Sequence, residues 1–191
     1  ILIGRGGNDV FVVRGHAGLD VFNGGAGYDT VRGTAGNDLI LLKSNQSNLI
    51  SIEKIDGGAG RNDAIVGTKG KDNFDFSKIA ITGIERISLG TGDDTILGSK
   101  GNDTFAGGAG HDTFRFKAGH GHDVVLDFHA GSFFATDDKI DLRETGIKNY
   151  LTLIESTRQI GSDTLITLDH HSSITLKNVA PWTLSFENFL L

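Results

Sequence analysis

The sequence predicts an all-β chain: a parallel β-solenoid over residues 1–128, then a β-rich cap over residues 129–191. Three observations predict it. Glycine supplies 28 of 191 residues, roughly twice the usual share, and 25 of the 28 lie in residues 1–128. A nine-residue unit recurs through that Gly-rich part, and such self-similarity marks a repeat architecture. Each copy ends in a short triplet centred on a large apolar residue, which suits a brief strand pointing one side chain inward. Composition also excludes alternatives. Pro181 is the only proline, so collagen and Pro-rich linkers are ruled out. There is no Cys for disulfides or thiolate metal sites, and no 18-residue apolar run for a membrane span. A net charge of -6 argues against nucleic acid as the main partner. Met is absent and the chain starts Ile1-Leu2-Ile3, so the expectation is a piece of a longer polypeptide, with an upstream domain as partner.

The copies follow in order. Gly4 to Val12 gives one, and Gly15 to Asn23 another. Gly24-Gly25-Ala26-Gly27-Tyr28-Asp29-Thr30-Val31-Arg32 is the clearest, and Gly33 to Leu41 repeats it. Gly57 to Ile65 carries one extra residue, and Gly67 to Asp75 keeps the spacing. A second run starts near Leu89, continues through Gly98 and Gly107, and closes at Gly119–Val125. The apolar position holds Phe11, Phe22, Val31, Ile40, Phe74, Ile96, Phe105, Phe114 and Val125.

This pattern resembles the RTX nonapeptide G-G-x-G-x-D-x-U-x of secreted bacterial proteins. Serralysin-type proteases, RTX lipases, haemolysins, mannuronan epimerase R-modules and nodulation exoproteins carry such regions. About ten copies match. The resemblance implies a right-handed parallel β-roll that binds calcium, on an extracellular protein exported by type I secretion machinery. Residues 126–128, 138–142, 161–168 and 173–179 also resemble the C-terminal region of such proteins. The end Ser185-Phe186-Glu187-Asn188-Phe189-Leu190-Leu191 implies an uncleaved export signal.

The residues themselves give the calcium chemistry. Two nonapeptides close a turn of about 18 residues, so loops two copies apart stack and align their acids. Close like charges repel and raise each other's pKa. Calcium relieves that repulsion, since it takes six to eight oxygens from carboxylates and carbonyls, whereas zinc favours N and S. In an extended loop alternate carbonyls face one way, so the expected ligands are loop positions two, four and six. These are Arg5, Gly7 and Asp9; His16, Gly18 and Asp20; Gly25, Gly27 and Asp29; and Thr34, Gly36 and Asp38. Further along they are Gly58, Gly60 and Asp63; Thr68, Gly70 and Asp72; and Gly90, Gly92 and Asp94. The last sets are Ser99, Gly101 and Asp103; Gly108, Gly110 and Asp112; and Gly119, Gly121 and Asp123. About four to eight Ca2+ ions are expected. Taking alternate copies predicts two acid columns: Asp9, Asp29, Asp63, Asp94 and Asp112 in one, Asp20, Asp38, Asp72, Asp103 and Asp123 in the other.

Two insertions, 42–56 and 76–88, resemble each other and read as added strands that widen their coils; a protruding hairpin is the alternative. Beyond residue 128 a strand is expected at Asp138–Leu142, a short helix around Arg143–Tyr150, and a hairpin turning at Asp169–Ser172. An open solenoid end needs such a cap.

Rival functions are weaker. No His-Glu-x-x-His, Gly-x-Ser-x-Gly or Walker loop is present, so no catalytic residues are expected. Asp169-His170-His171-Ser172 reads as a polar hairpin tip, not a triad. His16, His111, His120 and His122 fill variable loop positions and are expected to face solvent. Lys43, Lys54, Lys69, Lys71, Lys78 and Arg86 gather around the insertions, so binding of an acidic polysaccharide, or adhesion, is the alternative function.

Overall fold

A computed structural model describes residues 1–16, 18–131 and 137–191. Ala17, inside the second copy, and residues 132–136, inside the cap segment, lie outside the described residues. The chain is an all-β parallel solenoid of about six turns. The nine expected apolar positions are all buried and form one continuous core with Val13, Leu42, Phe76, Leu89 and Phe116. Triplets such as β2 (Val10–Val12) and β9 (Asn73–Asp75) bury only the middle residue, as period-two alternation requires.

Four sheets carry the strands. The first holds β1 (Leu2–Gly6), β3 (Phe22–Ala26) and β6 (Leu49–Ile50). The second holds β2, β4 (Thr30–Arg32), β7 (Lys54–Asp56) and β10 (Ala80–Thr82). The third runs β5 (Leu39–Leu41), β8 (Ala64–Val66), β11 (Arg86–Thr91), β13 (Thr104–Ala109) and β15 (His122–Val125), and continues into the cap. The fourth holds β9, β12 (Thr95–Leu97), β14 (Thr113–Lys117), β16 (Lys139–Glu144) and β20 (Phe189–Leu190).

The order of visits shows a change of cross-section. From β3 to β11 three strands make each turn; from β11 to β16 two suffice. At the start of the two-strand part partners are 18 residues apart, as in Ile87↔Phe105 and Ile96↔Phe114, and Phe105↔Val125 are 20 apart. Partners in the earlier part are farther apart: 24 for Val31↔Ile55 and 26 for Ile55↔Ile81. The insertions cause this, because β6, β7 and β10 join the sheets as parallel strands.

In the last third, β19 (Ser173–Leu176) extends the third sheet from β15, and β20 extends the fourth from β16. β18 (Asp163–Thr167) pairs antiparallel with β19, giving the expected hairpin, and β17 (Thr157–Ile160) lies outside it. The helix expected at 143–150 falls later, at α1 (Tyr150–Glu155). Arg143 and Glu144 instead complete β16, where Glu144 pairs with Lys117, and the Asn149 side chain caps the helix by accepting the Thr152 amide. Among the described residues, no helix is long and apolar enough to cross a membrane.

Candidate metal centre

Every regular copy ends in an acid two residues before the buried apolar residue, so the strand that anchors Val31 or Phe114 also fixes Asp29 or Asp112 at its entrance. The acids join in ladders in which each amide donates to the next carboxylate. Asp9 N–H donates to Asp29 Oδ1 at 2.8 Å, and Asp29 N–H to Glu53 Oε2 at 2.8 Å. Asp38 donates to Asp63 at 2.6 Å and Asp63 to Glu85 at 2.6 Å. Asp103 donates to Asp123 at 2.8 Å. Asp72 donates to Asp94 at 2.7 Å, Asp94 to Asp112 at 3.0 Å, and Asp112 to Asp138 at 2.9 Å.

These ladders correct the two-column expectation. Asp63 stands with Asp38, and Asp94 with Asp72, because three-strand turns shift which copies stack. Asp20 joins no ladder: it is exposed, and the Gly15 amide takes the place beside Asp38. Glu53, Glu85 and Asp138 are column members that nonapeptide counting misses. Their signal was an acid, one residue, then a buried Ile: Glu53-Lys54-Ile55, Glu85-Arg86-Ile87 and Asp138-Lys139-Ile140.

The loops fall into two kinds. In loops beginning Gly-Thr or Gly-Ser, the acid is tied within its own loop. Asp38 Oδ2 accepts from the Thr34 amide and hydroxyl, and Asp72 and Asp103 accept from the amides and hydroxyls of Thr68 and Ser99. The hydroxyls also accept the amides of Gly36, Gly70 and Gly101, two residues on. In the other loops position two has positive φ: 98° at Gly25, 98° at Gly58, 112° at Gly90 and 97° at Gly108. Arg5 holds 86° there at a cost that glycine avoids. In this second kind Oδ2 of Asp9, Asp29, Asp63, Asp94 and Asp112 is buried with no hydrogen-bond partner among the described residues.

Main-chain carbonyls come close from the loop beneath. A Cβ on Gly25 would stand 2.0 Å from Arg5 O, and one on Gly27 2.0 Å from Gly7 O. On Gly108 and Gly110 the corresponding approaches are 2.0 Å from Gly90 O and 1.9 Å from Gly92 O. Thr34 O and Gly36 O approach Gly58 and Gly60, and Thr68 O and Gly70 O approach Gly90 and Gly92. Position five braces the pairs: Asn8, Asp93 and Asn102 Oδ1 accept the amides of Tyr28, His111 and His122 at 2.8–3.0 Å.

Burial acts strongly on these acids. Burial first, then repulsion from Asp138, Asp94 and Asp127, pushes Asp112 up to about 7. Burial and then the Asp123 charge push Asp103 up to about 6. Asp63 and Asp94 are raised by burial and by their acidic neighbours. Asp38 goes the other way: burial raises it, but bonds from Thr34 and Gly15 outweigh that and hold it low. Buried carboxylates with unpaired oxygens call for a cation. Among the described residues no three His, Cys, Asp or Glu side chains form a metal cluster, so an ion held here would have to draw on carbonyls too. An all-oxygen donor set fits calcium.

The histidines separate. His16, His111 and His122 are exposed as expected. His120 is not: it is buried at 4% exposure, with Nδ1 2.6 Å from Asp123 Oδ2. The basic residues around the insertions take different partners. Lys54 pairs with Asp56, Lys71 lines a groove with Arg115 and Arg143, and Lys78 lines another with Lys100. Asp169–Ser172 is the hairpin turn, closed by the Leu168 and Asp169 amides on Ser172 O.

The family model of the RTX calcium-binding nonapeptide repeat matches residues 14–43 and 80–114, in 4 copies. Those segments are RTX calcium-binding repeats. No curated protein matches the chain. Among solved structures, the extracellular lipase LipA from Serratia marcescens aligns with TM-score 0.39 and 16% identity. That alignment covers 97% of this chain and 38% of the lipase, so the chain spans well under half its length.

Proposed function

We propose that these RTX repeats form a calcium-gated folding module of a larger extracellular bacterial protein exported by type I machinery. One observation carries the reading: four buried, unpaired carboxylate oxygens, each in a loop approached by two carbonyls from the loop beneath. The ligand sets would be Arg5, Gly7 and Asp29; Thr34, Gly36 and Asp63; Thr68, Gly70 and Asp94; and Gly90, Gly92 and Asp112. Four ions follow, at the low end of the expected range. Bound calcium supplies the positive charge that lets these acids stay ionised and close.

Without it, the ladders bring raised-pKa acids together in a buried place, which opposes folding at neutral pH. In calcium-poor cytosol the chain stays loose for export. Outside, calcium near the millimolar range fills sites of the class typical of extracellular modules, and ion binding becomes folding free energy. Residues 1–128 form the gated part. Residues 129–191 cap it through β19 and β20, and the last residues carry the export signal. The module performs no catalysis itself.

Far-UV circular dichroism, titrated with calcium from EDTA and with magnesium as control, tests this. A cooperative coil-to-β transition specific to calcium is expected. A full β spectrum in EDTA would sink the gating idea.

A further inference from the structure

We propose that His120 takes the place of an ion in the loop pair 98–103 and 118–123, a reading that rests on the calcium assignment above. This pair shares the construction of the others. Asp103 N–H donates to Asp123 Oδ1, Asn102 accepts the His122 amide, and a Cβ on Gly121 would stand 2.7 Å from Gly101 O. It differs at one point. Asp29, Asp63, Asp94 and Asp112 each leave Oδ2 unpaired, whereas Asp123 Oδ2 is held by His120 Nδ1 at 2.6 Å.

The imidazole is placed for that purpose. It lies at loop position three, where Ala26, Ala59, Thr91 and Ala109 stand in the unlatched loops. Its ring packs on Phe116, centroids 4.9 Å apart, and its other nitrogen has no partner among the described residues. Position two of its loop also stays away from the loop beneath, since a Cβ on Gly119 would meet nothing within 4 Å. Below it, Asp103 is occupied by Ser99. Both acids of the pair are therefore satisfied by protein groups. This pair adjoins the cap through β15 and β19, so the third-sheet side of the solenoid end next to the cap closes without calcium.

Calorimetric calcium titration of the full chain gives the test. His120→Ala should bind one ion more than the wild type, and His120→Ala/Asp123→Asn should lose it again. An unchanged ion count in His120→Ala would overturn the proposal. Hydrogen exchange of the wild type at limiting calcium, where part of the population is still folded, reads the same idea with no variant. The Asp103 amide should be protected more than the Asp94 amide; equal or reversed protection would overturn it, whether or not the variant folds. Failure of every protein to bind calcium would instead sink the calcium assignment, leaving the exchange arm to judge the latch.

Discussion

The three-strand turns from β3 to β11 and the two-strand turns after them solve one problem differently. In residues 86–125 the repeat spacing and the turn length agree, so loop 107–112 lies squarely on loop 89–94, with Gly90↔Gly108 and Thr91↔Ala109 in register. In the wider part, extra strands separate the copies, and loop 57–63 meets a Gly-Thr loop instead. There Glu53 and Glu85 continue the acid ladder with one more methylene than Asp. The difference teaches that ladder continuity follows from an acid two residues before a buried apolar one, not from nonapeptide count.

The largest expected effect lies in the narrow part. Phe114 is fully buried and packs on Phe105 and Phe128 at 6.2 Å. Phe114→Ala should cost about 3–5 kcal/mol in calcium-saturated denaturant unfolding. Phe11→Ala, in the first turn and 7% exposed, should cost less. Equal losses would mean that the narrow core is no better packed than the first turn.

Loop kind comes next. Gly108 has φ of 97° and a carbonyl 2.0 Å from where its Cβ would be, so Gly108→Ala should lose about 2–3 kcal/mol. Gly36 has ordinary φ, with only the Thr34 hydroxyl at 3.7 Å, and Gly36→Ala should stay within about 0.5 kcal/mol. Thermal melts at saturating calcium would separate them, and similar shifts would erase the distinction between loop kinds.

Protonation acts in the same direction as the ion. Asp112 rises to about 7 and Asp103 to about 6 on folding, from an ordinary 3.8. The folded calcium-free chain thus binds more protons than the unfolded one in that window. Its stability should fall as pH rises from about 4 to about 7, then level off. Calcium competes with the proton on Asp112, so the calcium midpoint should rise about tenfold from pH 8 to pH 5.5. A midpoint independent of pH would contradict the burial of these acids.

The smallest effect sharpens the role of the wide part. Glu85→Ala removes the acceptor of the Asp63 amide and should cost about 1 kcal/mol. Glu85→Gln keeps an acceptor and should cost less than half of that. If Gln were as damaging as Ala, charge rather than hydrogen bonding would hold that rung.

The sequence alone determined the solenoid, its apolar rungs and the calcium chemistry. Gly, Asp and apolar residues at fixed spacing constrain backbone angle, ligand type and side-chain direction locally, so Phe105 and Asp112 could be read without a fold. It did not determine which acids meet. Asp63 facing Asp38, Asp20 left outside and Asp138 at the head of a ladder depend on how many strands complete a turn, and residues far apart in the chain set that number. Burial of His120 belongs to the same class. A variable loop position looks solvent-facing by pattern, and only the packing of Phe116 beneath it and Asp123 beside it turns the ring inward.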